Sequence, residues 1–337
     1  MTRRRIFSRR SENSGFRVPI GLILVVLAIG LCILIPANQI DVSKINISNR
    51  ELPTALPTFT PLPAPTKPNI GRIIFTCTRG DFNQLCWVNA DGTGYKQITA
   101  VEAHNYYPVY SPKSGSIMYA SNQNGGTFDL FLFVFEGSRL IRLTNFIGNV
   151  VSPSFSPDGE RILFANRAGE GPTSLWTVDN TGENAQLLYA GPDTIVAADW
   201  SPDGKTIAFA MAVDQPNEYQ IFLMRADASN VRQLTRNLGG IGGSLDWSPD
   251  GKYLLIYAGS DGDKDIFRID VEAQTAAQLT DGGNNAACSY SPDGQWIAFN
   301  SLRNNDQADI FIMRADGTGV RQVTTNPEPD WQPHWEP

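Results

Sequence analysis

The chain is poor in the residues that most hydrolytic and metal-dependent enzymes rely on. Of 337 residues only two are histidine, His104 and His334, and four are cysteine, at positions 32, 77, 86 and 288. Two histidines are too few for a multi-His metal centre or a convincing general-base network. Four cysteines are too few for a disulfide-dense scaffold. No G-x-S-x-G segment marks a nucleophile elbow; Gly242, Gly243 and Ser244 come nearest and lack the closing glycine. Long charged helical runs are also missing, while Gly (30 residues), Pro (22) and aromatics (10%) are plentiful. That balance favours short strands joined by many turns. The formal net charge is −7, spread unevenly. Residues 1–17 carry +5, residues 18–70 carry +1, and the remainder carries −13. An acidic body repels phosphate backbones, which argues against a nucleic-acid partner.

The one long apolar run is residues 18–36, nineteen residues without a charge. It is long enough to cross a bilayer as a transmembrane signal-anchor helix. Arg3, Arg4, Arg5, Arg9, Arg10 and Arg17 precede it, and only Lys44 and Arg50 follow closely. The positive-inside rule then puts a basic tail (1–17) in the cytoplasm and everything after residue 36 outside, periplasmic or on the cell surface. A cleaved signal peptide ending near Ala37 is the other reading, but its apolar core would be unusually long. Cys32 follows Leu31, too large for a lipoprotein site, and reads as a membrane-buried thiol. Residues 37–69 hold prolines at 53, 57, 61, 63, 65 and 68, a spacing that forbids helix and sheet and favours an extended stalk.

Residues 70–337 repeat. Ser-Pro-Asp-Gly begins at Ser156, Ser201, Ser248 and Ser291, with a degenerate copy at Ser111, at spacings of 45, 45, 47 and 43 residues. An apolar run follows each copy (SIMYA from Ser116, RILFA from Arg161, TIAFA from Thr206), and after a polar loop comes another (DLFLFV from Asp129, SLWTV from Ser174, DIFIM from Asp309). A short segment then ends in Thr144, Thr235, Thr280 or Thr324. Each unit reads as four strands, a to d. In the turns Pro presets φ, Asp tolerates the next position and Gly accepts positive φ. Such a sheet must bury both faces against neighbours, and about 40–45 residues per unit suits a propeller blade. The first unit lacks strand a, and residues 331–337 (WQPHWEP) supply a surplus one. Five complete blades and one shared between the termini make six.

With Trp200, Ser201, Pro202, Asp203 and Gly204, and later Asp309, Ile310, Phe311 and Ala315 to Thr318, the pattern resembles the WD40-like repeat of TolB-type propellers. The resemblance covers about four-fifths of the chain and implies an all-β, six-bladed fold. TolB proteins carry an α/β domain before the propeller; here an anchor and stalk stand in its place. The expectation is a membrane-anchored, extracytoplasmic binding scaffold or sensor and not an enzyme, its partner a protein, peptide or glycan. The alternative is a lyase or hydrolase acting on a polysaccharide or peptide at the channel mouth. Oligogalacturonate-lyase-like activity in similar propellers uses metal-binding His clusters, which two histidines do not provide.

Several residues are candidates for a site. The residue before each strand-a aromatic is Val109, Ser154, Asp199, Asp246, Ser289 or His334, forming a ring beside the channel. Asp199 and Asp246 lie on adjacent blades and are weak candidates for a channel cation such as calcium; otherwise they accept hydrogen bonds from nearby turn amides. No other cofactor is expected. Asp129, Asp265 and Asp309 recur at the start of strand c, which points to a structural hydrogen bond. Cys77 and Cys86 sit on neighbouring strands as a disulfide or as two buried thiols, and Cys288 reads as a packed free thiol. The b-to-c and d-to-a loops vary between units and open on one face, which the topology points away from the membrane. Tyr106, Tyr107, Phe128, Phe146 and Tyr219 near them are candidates for the binding surface.

Overall fold

The structure, a computed structural model, describes residues 71–304 and 307–336. The basic tail, the apolar run, the stalk and Cys32 lie outside the described residues. Among the described residues there are 24 strands and no helix, so no helix there is long and apolar enough to cross a membrane. The chain opens with β1 (Arg72–Arg79), β2 (Phe82–Asn89) and β3 (Lys96–Gln97). Blade one is β4 (Asn105–Tyr110), β5 (Ser116–Ser121), β6 (Asp129–Val134) and β7 (Arg139–Arg142). Blade two is β8 (Asn149–Phe155), β9 (Arg161–Arg167), β10 (Ser174–Asp179) and β11 (Gln186–Tyr189). Blade three is β12 (Ile195–Trp200), β13 (Thr206–Val213), β14 (Gln215–Arg225) and β15 (Arg232–Gln233). Blade four is β16 (Leu245–Trp247), β17 (Tyr253–Ser260), β18 (Asp263–Asp270) and β19 (Thr275–Gln278). Blade five is β20 (Asn285–Tyr290), β21 (Trp296–Ser301), β22 (Asp309–Arg314) and β23 (Arg321–Gln322), and β24 (Asp330–Trp335) ends the ring.

The sixth sheet has the order β24-β1-β2-β3, so the two ends of the propeller share one blade, as the terminal motifs predict. Ile73 pairs with Trp335 and Cys77 with Asp330 across β1 and β24. Arg72 and Glu336 add a fork of two charged hydrogen bonds, each 2.5 Å long. Trp335 is 2% exposed and packs with Ile73, Phe75, Ile310 and Ile312, which joins the shared blade to blade five.

The repeated motif folds the same way each time. The Ser201 hydroxyl donates to Asp203 (2.7 Å) and accepts the Thr206 amide (2.9 Å), while Gly204 takes φ 69°. Ser156, Ser248 and Ser291 do likewise. The threonine that ends five of the six fourth segments also has a cause. Hydroxyls of Thr99, Thr144, Thr235, Thr280 and Thr324 accept the amides of Leu85, Leu130, Ile221, Ile266 and Ile310, each at 2.9 Å. A short fourth strand is thereby pinned to the third where few ladder bonds are available.

Candidate functional site

The six first strands stand around a central channel. Three of them contain a proline, which removes a ladder N–H, and a bulge forms there; the strand with Cys288 bulges at the same position. Tyr107, Ser152, Ala287 and Gln332, which precede Pro108, Pro153, Cys288 and Pro333, take positive φ of 42–55°. The register slips at each of these points. Left-handed geometry is costly for residues with a side chain and collects at functional positions. Here all four residues line one cavity of about 630 Å³ at the channel mouth.

The cavity wall combines aromatic and polar groups. Tyr106, Tyr107, Tyr257 and Trp331 supply ring faces, and Asn83, Asn300 and Gln332 supply amides. Asn83 donates to the Tyr106 hydroxyl at 2.6 Å. Gln332 Oε1 accepts both the Tyr107 amide and the Thr76 hydroxyl at 3.0 Å, which ties the first bulge to the closing strand. Tyr257 is held by a glycine loop: Gly243 N–H donates to its hydroxyl at 3.0 Å, and a Cβ on Gly242 would stand 1.9 Å from its ring. A second groove of about 730 Å³ meets the cavity at Gly243 and Tyr257 and runs past Tyr219.

Deeper in the cavity lie Val109, Ser154, Asp199, Asp246, Ser289 and His334, all six ring positions that the sequence pattern singles out. Asp199, Asp246 and Ser289 each accept a strand amide of the next blade, so Asp199 and Asp246 do not bond turn amides as expected. Asp199 Oδ2 accepts the Trp247 amide (3.2 Å), and its Oδ1 accepts from Trp200 N–H (2.9 Å) and the Ser154 hydroxyl. Asp246 Oδ2 accepts the Tyr290 amide at 2.7 Å, and Ser289 Oγ accepts that of Trp335 at 3.5 Å. The ring therefore laces blade to blade. Burial pushes Asp199 up to about 6; burial and the neighbouring Asp199 charge raise Asp246 well above the usual carboxylate range. Burial lowers His334 to about 4, so it is neutral near pH 7. No group of three His, Cys, Asp or Glu side chains that could hold a metal ion occurs among the described residues.

Not all the aromatic candidates are brought together. Tyr106 and Tyr107 line the cavity, and Phe128 packs on Tyr106 with ring centroids 5.6 Å apart. Tyr219 belongs to the adjoining groove. Phe146 is 58% exposed and stands over the Arg142 guanidinium at 4.3 Å, away from that group. Tyr257, Trp331 and Gln332 were not singled out from the sequence. Gln332 carried a signal, since it precedes a proline within a strand. Cys77 and Cys86 form a disulfide, and Cys288 is a buried free thiol. The two half-cystines are diagonal, not opposite, because Cys77 faces Gln84 and Cys86 faces Phe75. Asp129 and Asp265 are spent on neighbouring side chains: Arg142 and Thr144 bind the first, Gln278, Thr280 and Asn285 the second.

The strand order defines a six-bladed propeller with a cavity among its first strands. The chain belongs to the TolB β-propeller family: the model described as TolB beta propeller domain matches residues 93–236 and 170–337. An uncharacterized protein of Agrobacterium fabrum is 37% identical over 118 residues, covering 35% of this chain and 39% of that protein. The Tol-Pal system protein TolB of Anaeromyxobacter dehalogenans is 32% identical over 89 residues, covering 26% of this chain and 20% of that protein. The matched segments thus span well under half the length of either relative. The crystal structure of TolB from Acinetobacter baumannii superposes with a TM-score of 0.69 at 23% identity, over 80% of this chain and 67% of that one. That likeness is one of fold.

Proposed function

We propose that this chain is a membrane-anchored, extracytoplasmic propeller whose channel mouth binds a protein partner through an inserted segment. The observation that carries the reading is the cavity of about 630 Å³, where strained bulges aim Tyr107 and Gln332 into one site beside Tyr106, Tyr257 and Trp331. Its volume falls within the range of ligand sites, and a few aromatics among amides form the usual pattern of a protein-recognition pocket. The name of the Anaeromyxobacter relative, a Tol-Pal system protein, supports a protein partner over an enzymatic role. The apolar run at 18–36 and the arginines before it support the anchor.

Affinity capture from membranes of intact cells, followed by mass spectrometry, tests the reading. Tyr107→Ala and Trp331→Ala should each weaken capture of the partner by about 10-fold or more, the loss common for an interface aromatic. Asp203→Lys and Asp250→Lys, in turns at the other end of the blades, should leave it unchanged. Equal loss from the turn variants would overturn the assignment.

A further inference from the structure

In several blades a polar side chain near the start of the third strand lies by the start of the next blade's first strand. In the shared blade Gln84 meets Asn105, whose Nδ2 donates to Gln84 Oε1 (3.2 Å) and to the Thr99 hydroxyl (3.3 Å). In blade four Asp265 meets Asn285, whose Nδ2 lies 3.0 Å from both Asp265 Oδ1 and the Thr280 hydroxyl. In blade one the position opposite Asp129 is apolar Val150, and Arg142 takes the carboxylate instead. A donor or a cation thus answers the acceptor in each case.

Blade five breaks this rule. Asp309 occupies the acceptor position and Asp330, the first residue of β24, occupies the place of Asn105 and Asn285. The two carboxyls are 1% and 0% exposed. Gln322 donates to Asp309 Oδ2 at 2.8 Å, and Asn326 Nδ2 lies 3.4 Å from Asp330 Oδ1. Asp309 Oδ1 and Asp330 Oδ2 have no protein partner. Thr324, whose counterparts donate to Asp129 and Asp265, lies beside both groups. Two buried acceptor oxygens stand where the shared blade and blade four each set an N–H against an oxygen. One hydrogen is missing.

We propose that Asp309 and Asp330 share a single proton, an O–H on Asp330 donating to Asp309, so that the closing strand β24 is fastened to blade five in a pH-dependent way. The proton comes from solvent on folding, and the pair then carries one negative charge instead of two. Asp309 is near enough for its charge to raise Asp330, and neighbouring buried carboxyls resist ionising together. Burial pushes Asp330 up to about 7, Asp309 adds to that rise, and burial raises Asp309 itself. The other charged groups at this seam are Arg79 of β1, which opposes the rise, and Glu328, whose carboxylate lies 3.7 Å from Arg79. Cys77, the Cα partner of Asp330, is held in the disulfide and does not titrate. Unfolded aspartate titrates near 3.9. Between about pH 4 and pH 7 the folded chain therefore holds a proton that the unfolded chain has lost. Stability from the pair is complete below that window and falls as pH rises through it.

Thermal and denaturant unfolding of the full chain in detergent, followed by tryptophan fluorescence from pH 5 to pH 8, tests this. Over that range the pair should lower the wild-type folding constant on the order of 100-fold, given Asp330 near 7. Asp330→Asn supplies the N–H that Asn285 supplies in blade four and should remove that component. Asp309→Asn, whose amide donates to Asp330, should do the same and serves if the first variant folds poorly. Asp199 and Asp246 contribute equally to all three proteins and cancel in the difference. A protonated-carboxyl infrared band at pH 6, present in wild type and absent from Asp330→Asn, would support the shared proton. An unchanged pH slope in both variants would overturn it. So would wild-type stability at pH 8 that calcium or sodium restores and chelation or dilution removes, because a cation would then bridge the pair.

Discussion

Replacing Trp335 by alanine tests whether the last strand closes the ring. The side chain is 2% exposed and fills the seam between Ile73 and Phe75 of the shared blade and Ile310 and Ile312 of blade five. A buried Trp→Ala change costs about 3–5 kcal/mol, transfer and cavity together. The indole Nε1 has no hydrogen-bond partner, so the loss is one of packing and no partner group is orphaned. A propeller of this size unfolds with an entropy that turns each kcal/mol into about 2 °C, so the expected fall in Tm is about 6–10 °C. The comparison is Leu140→Ala on the outer strand β7, where the side chain is 48% exposed. That change should stay within about 0.5–1 kcal/mol. Differential scanning calorimetry at one scan rate reads both. Removing residues 330–337 altogether should cost more than Trp335→Ala, since it also bares the β1 edge and frees Arg72 from Glu336. A Trp335→Ala shift no larger than that of Leu140→Ala would refute closure by β24.

Two further outcomes follow from the same contacts. Reducing Cys77–Cys86, or replacing both with serine, should cost about 2–3 kcal/mol, the chain-entropy value for so short a loop, read from denaturation with and without reductant; thiol titration of the native Cys32→Ser protein should find no reactive group, since Cys288 is buried. Asp246→Asn keeps an oxygen for the Tyr290 amide and removes a carboxyl that burial and Asp199 hold above its unfolded value. Stability lost by wild type as pH rises above the ordinary aspartate range should therefore be partly regained, with the two proteins alike at pH 4, and Tm profiles that stay parallel would show that the site is not strained by ionisation.

The propeller was legible because its local rules recur. Ser-Pro-Asp-Gly states a turn, the apolar runs after it state two buried strands, and threonine at the end of five units marks a hydroxyl that pins the fourth strand. Six imperfect copies average out the noise in any one of them, and the orphan strand at residues 331–337 could then be matched to a missing first strand. The ring of Val109, Ser154, Asp199, Asp246, Ser289 and His334 was legible for the same reason. Its bonding was not. Asp199 is answered by Trp247, 48 residues on, because neighbouring first strands are adjacent in space and remote in sequence. The same limit hid the cavity. Tyr257 reaches it from a second strand past Gly242, where any Cβ would strike the ring, and Gly243 N–H holds its hydroxyl.

The bulges show how one repeat yields both a frame and a site. A residue before proline ordinarily stays extended, so the pattern at Pro108, Pro153 and Pro333 reads as plain strand. In the ring the first strands run nearly to the axis, and each proline removes one ladder N–H there. At Pro108, Pro153 and Pro333 the preceding residue turns left-handed and lines the cavity, and Ala287 before Cys288 takes the same conformation without a proline. What then occupies each bulge is free of blade packing. Tyr107 and Gln332 use that freedom for a ring face and an amide, Ser152 and Ala287 for small contours, while the buried positions on either side keep the repeat. The proposed recognition site is built at those four places. A change there should alter binding before stability, and a change at Trp335 or Asp330 should do the reverse.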